Sequence, residues 1–279
     1  LEVLRAKKIS SQSKKAIKSL IENGFAIIPK NLTHKMCDDV VAAFEDYCQK
    51  NPESNSYSDE FGLHDRCCNL QIIYEEVANL ALHGRVLEIL ETVFESEADV
   101  VGSLFFERGS EQNVHRDTPA FFTLPLNRYF GVWHALEDLE YGSGLLNYMR
   151  GGHRLCPDLD FLGKGNIKNY TADILNECER AGIKLEQFKA NKGDTLIWHP
   201  QLPHGGSPII EPSMSRRSIV FHYKAYGLPI FGAPEFFGDK EVNSTVDNFG
   251  YLDSYKRRLL DHGNVVFQRN RQEGNFDQK

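Results

Sequence analysis

The sequence predicts a mostly β fold with flanking helices, a double-stranded β-helix or jelly roll, and three observations predict it. Beyond about residue 98, short strand-like segments alternate with turn signals, the spacing of a double-sheet jelly roll. Before that point the chain reads mainly as helix, which would brace such a sheet. With 279 residues, 41% hydrophobic and 11% aromatic, there is apolar material for two packed sheets and a helical layer.

Taken in order, the elements begin with a helix over about 9–23, the strand Phe25-Ala26-Ile27-Ile28, and a helix near 34–49. Thr33 is the candidate N-cap of the second helix, because a threonine hydroxyl accepts one of the unpaired first-turn N–H groups. The polar stretch Asn51-Pro52-Glu53-Ser54-Asn55-Ser56 reads as a loop, and helices near 71–82 and 84–95 complete an N-terminal brace of about 1–97. Core strands are expected at 100–106, 114–117, 129–136, 145–149, 195–198 and 218–223, within a core of about 98–227. A helical segment around Ala172 to Cys178 belongs to an insertion of about 160–186, a candidate lid or packed surface helix. The extension of about 228–279 offers a further helix near 252–261. Sheet-built folds of this size commonly form one domain, and a single domain over 1–279 is the expectation.

The most informative chemistry lies in His115-Arg116-Asp117 and in Pro203-His204-Gly205-Gly206, with Arg216 twelve residues beyond His204. On an extended strand side chains alternate faces, so His115 and Asp117 point to the same side and can bind one ion. An isolated His-x-Asp is commonly a surface or capping pair. Here His204 follows a turn and apolar strand, Gly193-Asp194-Thr195-Leu196-Ile197-Trp198-His199, and supplies a third ligand from a distant strand. Two histidines and one carboxylate suit non-haem ferrous iron and leave one face of a six-coordinate ion open. His199 is the rival to His204.

Four stretches carry a family resemblance. They are Gly24-Phe25-Ala26-Ile27-Ile28-Pro29 with Leu32-Thr33, the His115-Arg116-Asp117 triplet, the central run Trp133-His134-Ala135-Leu136-Glu137-Asp138 with Gly142-Ser143-Gly144-Leu145-Leu146 and Gly151-Gly152-His153, and the segment from Gly193 to Val220. Together they resemble the phytanoyl-CoA dioxygenase-like group of Fe(II)- and 2-oxoglutarate-dependent oxygenases, whose fold is the cupin-like jelly roll. The resemblance implies Fe(II), 2-oxoglutarate and O2 as the reacting set, with His115, Asp117 and His204 as metal ligands. Hydrogen removal from an unactivated C–H bond would follow, with release of succinate and CO2 and an outcome of hydroxylation, desaturation or oxidative cyclisation. Halogenating relatives replace the carboxylate ligand by a small residue, and Asp117 leaves no such gap.

The far carboxylate of 2-oxoglutarate calls for a buried cation, and arginine suits it through its planar fork of donors. Arg216 is the first choice, in the family order Arg-x-Ser-Ile; Arg217 is the rival, since adjacent strand residues face opposite ways. His134 is expected on the face opposite Trp133, and His222 on the face of Arg216 as a pocket residue. His153 is read as fixing the Gly151-Gly152 turn. Candidate substrate walls are Phe105, Phe106, Arg128, His134, Asn147, Arg150 and Tyr223, several of them polar or cationic, which points to a small acid-bearing metabolite. Two other classes would use the same ligands: a non-oxidative metal-dependent jelly-roll isomerase and a catalytically silent binding protein.

The formal charge of -7 and pI near 5.8 argue against nucleic acid as a partner, because phosphate neutralisation requires a basic face. The basic residues near the N-terminus read as a solvated helical face. Six cysteines show no paired metal-ligand spacing and are expected as reduced thiols. No apolar run approaches the roughly twenty residues that span a bilayer. A soluble intracellular or cytoplasmic protein is expected, with an organellar segment ahead of Leu1 left open.

Overall fold

Helix α1 (Ser11–Asn23) starts where the Ser10 hydroxyl accepts the Ser13 N–H at 3.1 Å, and stops at Gly24, whose φ of 83° favours glycine. Strand β1 (Phe25–Ile28) follows, then α2 (His34–Lys50), capped as expected by Thr33, which accepts the Met36 N–H at 3.2 Å. The computed structural model describes residues 9–52, 62–63 and 66–242, and beyond them the backbone of strands Tyr251–Asp253, Arg258–Asp261 and Asn264–Gln268. The expected loop over 51–56 falls largely outside the described residues.

The helix expected over 71–82 is two elements. A 3-10 turn, Leu70–Ile72, precedes α3 (Glu75–Ala81), and the Ile73 and Tyr74 N–H groups both bond back to the Leu70 carbonyl. The turn is held in place by tertiary contact, since the Gln71 side chain accepts from the Ser103 hydroxyl and donates to Asn69. Helix α4 (Gly84–Phe94) then closes the brace.

The strands are β2 (Arg66–Cys68), β3 (Ala98–Phe106), β4 (Tyr129–Ala135), β5 (Leu146–Met149), β6 (Leu185–Phe188), β7 (Thr195–Trp198), β8 (His204–Gly206), β9 (Ser218–Ala225), β10 (Tyr251–Asp253), β11 (Arg258–Asp261) and β12 (Asn264–Gln268). The major sheet runs β1-β7-β4-β9-β3-β10-β11-β12, with β2 also beside β3; the minor sheet runs β6-β5-β8. Every pairing is antiparallel, as a jelly roll requires.

Alternation assigns the two faces of the major sheet. Phe105, Phe130, Val132, Ile219, Phe221 and Tyr223 pack with the helices in one core cluster. Their neighbours Phe106, Trp133 and Val220 turn to the other face and pack with Leu146, Tyr148 and Phe188 of the minor sheet in a second cluster. The space between the sheets holds the site.

Two further expectations are corrected, and three elements were not expected. Residues 114–117 form no continuous strand; only an isolated bridge joins His115 to His204, with reciprocal N–H···O bonds of 2.9 Å. The chain turns immediately afterwards, where the Phe121 N–H bonds to the Asp117 carbonyl at 3.0 Å and Pro119 has no N–H to extend a ladder. The segment expected as a helix near 252–261 contributes β10 and β11 instead, because β10 pairs with the edge of β3 at Leu252↔Val100, and tertiary pairing overrides local helix preference. Strands β6 and β8 and the short helix α6 (Ala233–Phe237) were absent from the sequence reading, all being too short or glycine-rich to show periodicity. Inside the expected insertion, α5 (Ile167–Arg180) packs Tyr170, Ile174 and Cys178 against Phe122, Phe231, Phe236 and Phe237.

Candidate metal centre and cavity

The bridge between His115 and His204 sets two imidazoles side by side, with ring centroids 4.6 Å apart. Each is oriented by its own backbone: His115 Nδ1 lies 2.8 Å from the Asn113 carbonyl and His204 Nδ1 2.9 Å from the Leu202 carbonyl. A carbonyl can only accept, so both Nδ1 atoms carry the proton and both Nε2 lone pairs are free to ligate. Asp117 completes the group: the candidate ligand atoms of His115, Asp117 and His204 all lie within 4.8 Å of one another.

Asp117 is held by one hydrogen bond and lies near two imidazoles. The Trp198 indole N–H donates to its Oδ2 at 2.6 Å, while Oδ1 faces His204 Nε2 at 3.7 Å and His222 Nε2 at 4.0 Å. Burial works to raise the Asp117 carboxyl, but the surrounding imidazoles of His204, His222 and His115 and the indole bond keep it below the ordinary carboxylate range. Burial pushes His204 down to about 4, with Asp117 opposing. At neutral pH Asp117 is therefore a carboxylate and His204 a neutral imidazole, and two histidines with one carboxylate are a donor set that borderline first-row cations take.

Gly131 explains how Trp198 reaches Asp117. It stands opposite Trp198 in the β4–β7 register, and a Cβ there would lie 2.2 Å from the indole ring. Gly205 plays the same part for the His115 segment, since its Cβ would fall 2.6 Å from the Gln112 carbonyl. Replacing Trp198 by phenylalanine removes the N–H while keeping most of the ring. Fe(II) affinity should then fall about 10–100-fold, the usual effect of losing a bond that orients a ligand. Titration of the metal-free variant measures it, and an unchanged affinity would remove Trp198 from the site's support.

These groups line a cavity of about 350 Å³ between the sheets, and Arg216 lines it too. The Arg216 residue is 3% exposed; its guanidinium lies 5.6 Å from the Phe106 ring and 6.0 Å from the Trp133 ring, and its Nη2 is 3.5 Å from the Arg108 carbonyl. No described carboxylate forms an ion pair with it, and its Nε and the neighbouring Trp133 Nε1 are buried without a hydrogen-bond partner among the described residues. Burial lowers it to about 10, so it stays a cation at neutral pH. A buried unpaired cation is costly unless an anion matches it, so Arg216 makes its part of the cavity wall a place for an anionic group. Arg217 points the other way and pairs with Glu107 at 3.0 Å and Glu45 at 3.5 Å.

Arg116, between the two ligands, turns away from the cavity and ties down the following segment. It pairs with Asp158 at 3.2 Å and donates to the carbonyls of Cys156, Leu155 and Gly152, while the Tyr170 hydroxyl of α5 donates to Asp158 at 2.6 Å.

His222 lines the cavity, as its parity with Arg216 suggests. The substrate-wall residues read from sequence fare differently: Phe106 lines the cavity, but Phe105, Arg128, His134, Asn147, Arg150 and Tyr223 do not. Phe105 stacks on Phe44 at 4.0 Å, and the Tyr223 hydroxyl donates to the Ala81 carbonyl, both on the helical side. His134, opposite Trp133 as expected, bonds to Thr195 on that same side. Arg128 donates to the carbonyls of Val93 and Phe94; Asn147 turns to Ser207; Arg150 is an exposed partner of Glu186. His199 belongs to a separate cavity of about 360 Å³ with His153. Beside the Gly151-Gly152 turn, His153 Nε2 reaches the Ile21 carbonyl of α1, and the Gly151 N–H donates to the Asn23 carbonyl at the end of the same helix. Trp198, Tyr129, Phe121 and Arg66 line the metal-side cavity and were missed, because their placement depends on register and on which loop folds back, neither written in local sequence.

All six cysteines are free thiols, and among the described residues no helix is long and apolar enough to cross a membrane.

No curated protein matches the chain. Among solved structures it is similar to the non-haem α-ketoglutarate-dependent carbocyclase SnoK from nogalamycin biosynthesis, at 17% identity and TM-score 0.62 over 80% of this chain and 86% of that one. The epimerase SnoN, in complex with Fe3+, α-ketoglutarate and nogalamycin RO, is similar at 14% identity and TM-score 0.61 over 84% and 91%. HygX from Streptomyces hygroscopicus, with nickel and 2-oxoglutarate bound, is similar at 14% identity and TM-score 0.58 over 79% and 89%. The family model described as phytanoyl-CoA dioxygenase matches residues 20–218, and with that span and this donor set the chain belongs to the phytanoyl-CoA dioxygenase family of iron- and 2-oxoglutarate-dependent oxygenases.

Proposed function

We propose that His115, Asp117 and His204 hold Fe(II), that Arg216 anchors the far carboxylate of 2-oxoglutarate, and that the enzyme removes hydrogen from an unactivated C–H bond of a small molecule. One O2 is consumed, 2-oxoglutarate is oxidised to succinate and CO2, and the substrate is hydroxylated, or is desaturated or cyclised with release of water. The observation that carries this reading is one cavity holding both a two-histidine, one-carboxylate cluster and a buried arginine without a carboxylate partner among the described residues. When bound, the metal and co-substrate supply the oxidising power. The protein's own residues supply fixed tautomers at His115 and His204, an indole bond that aims Asp117, and a water-poor wall of Phe106, Trp133 and Val220. The SnoN complex with nogalamycin RO supports a small molecule as the third component. An acid-bearing metabolite remains the substrate class of this reading, with Arg66 as the lining cation in place of Arg128 and Arg150.

The test is anaerobic addition of Fe(II) and 2-oxoglutarate to the metal-free protein, followed through the weak visible charge-transfer band of the chelate. The band should form in the wild type and disappear in His204→Ala. In Arg216→Ala the 2-oxoglutarate needed for half-formation should rise at least tenfold, the scale of a lost charge-assisted pair. Metal binding without a band in the wild type would overturn the assignment.

A further inference from the structure

Three rings outside the His115, Asp117 and His204 group line the cavity beside Asp117. Phe121 and Tyr129 lie 5.7 Å apart at 15°, Tyr129 and His222 5.4 Å apart at 14°, and Phe121 and His222 6.2 Å apart at 28°. Three nearly parallel rings at nearly equal separations cannot be a column, in which the end rings would lie about twice as far apart as neighbours. They form a stepped wall instead. The turn that places Asp117 also places Phe121, through the Phe121 N–H to Asp117 carbonyl bond, while Tyr129 on β4 and His222 on β9 are supplied by adjacent strands.

The wall carries polar atoms that the protein leaves unused. The Tyr129 hydroxyl and both His222 ring nitrogens make no hydrogen bond to a described residue, although Tyr129 is 1% exposed and the His222 side chain 14%. The closest polar approach, His222 Nε2 to Asp117 Oδ1 at 4.0 Å, is too long for a hydrogen bond. Polar groups so deeply placed are normally satisfied, and the cavity is the side from which a partner can come. A phenol and a neutral imidazole together offer an O–H donor, an N–H donor and a lone pair, a set that matches a hydroxyl or carbonyl oxygen rather than a second metal.

We infer that Phe121, Tyr129 and His222 form the substrate seat, and that the substrate is a flat-faced cyclic compound carrying an oxygen substituent. Its ring lies on the wall, its oxygen bonds to the Tyr129 hydroxyl and the His222 imidazole, and the carbon next to that oxygen is thereby presented beside Asp117, on the metal side of the cavity. This inference rests on the oxygenase reading above and narrows it from a small molecule to a ring bearing a polar handle.

The test uses the anaerobic protein loaded with Fe(II) and 2-oxoglutarate, with the charge-transfer band as the internal sign that the cofactor site is assembled. Equilibrium dialysis measures binding of 2-naphthol and of naphthalene, the same ring without the oxygen. Wild type should prefer 2-naphthol, and His222→Phe and Tyr129→Phe, which keep a ring, should each weaken 2-naphthol by about tenfold, the scale of one well-placed hydrogen bond. Naphthalene should be unaffected in those two variants and weakened in Phe121→Ala. If His222→Phe loses the band, His222→Asn takes its place, and retention of the 2-naphthol preference there supports the hydrogen-bonding role. Failure of wild type to prefer 2-naphthol, or equal binding in wild type and the two ring-preserving variants, overturns the inference. A missing band in wild type counts instead against the oxygenase reading, so the two failures are separable.

Discussion

Asp117→Ala should abolish 2-oxoglutarate-dependent succinate release and weaken Fe(II) binding by more than the 10–100-fold typical of losing a mere supporting bond. Three effects act together at this position. The variant loses an oxygen donor from a three-ligand set, and the metal charge loses its carboxylate counter-charge. The Trp198 indole N–H, 2.6 Å from Oδ2, is left buried without its acceptor. His115 and His204 keep their carbonyl bonds, so the imidazoles stay oriented and residual metal binding reports two ligands rather than an unfolded site. Succinate release, with metal titration on the same preparation, decides the matter. Wild-type turnover in Asp117→Ala would remove this residue from the metal.

Arg116→Ala should be the most destabilising single change near the site, costing about 3–5 kcal/mol, because removing one partner of a buried ion pair strands the other. The Asp158 side chain is 1% exposed, and burial already raises its carboxyl despite the Arg116 charge. Without Arg116 it retains the Tyr170 hydroxyl, and three carbonyls, of Gly152, Leu155 and Cys156, lose the guanidinium donor, that of Gly152 keeping the Leu155 N–H. A fall in Tm of roughly 10 °C follows for a chain of this size. Combining it with Asp158→Asn, which removes the stranded charge, should recover part of the loss; a double variant no better than the single would show that the lost carbonyl bonds dominate. An unchanged Tm in Arg116→Ala would refute the structural role. The neighbours His115 and Asp117 face the cavity while Arg116 faces α5, so one triplet serves both metal site and scaffold.

Much of this was legible from period-two alternation. It placed His115 with Asp117, set Arg216 against Arg217, put His134 behind Trp133, and put His222 on the face of Arg216. The substrate wall was read without that rule, with the adjacent Phe105 and Phe106 both included. Phe105 and Tyr223 lie on strands that do pass the cavity, but one position out of phase, beside Phe106 and His222, which do line it. A one-residue error of parity exchanges the two faces completely. Arg128 and Arg150 were read as substrate cations from charge alone, yet one caps the end of α4 through the carbonyls of Val93 and Phe94, and the other is an exposed partner of Glu186.

What the sequence determined by itself was the metal-ligand cluster His115, Asp117 and His204 and the fold class, since ligand types, alternation and turn signals are local properties of the chain. Only the tertiary structure decided which of those residues share a cavity. Residues 114–117 form no strand of their own, and His115 is brought to His204 by a single bridge across 89 positions of sequence. Trp198 reaches Asp117 because Gly131, on another strand, leaves room for its ring. Segment 251–261 became strand because the edge of β3 offered it backbone partners. In each case the deciding partner lies far along the chain, where no local pattern can record it.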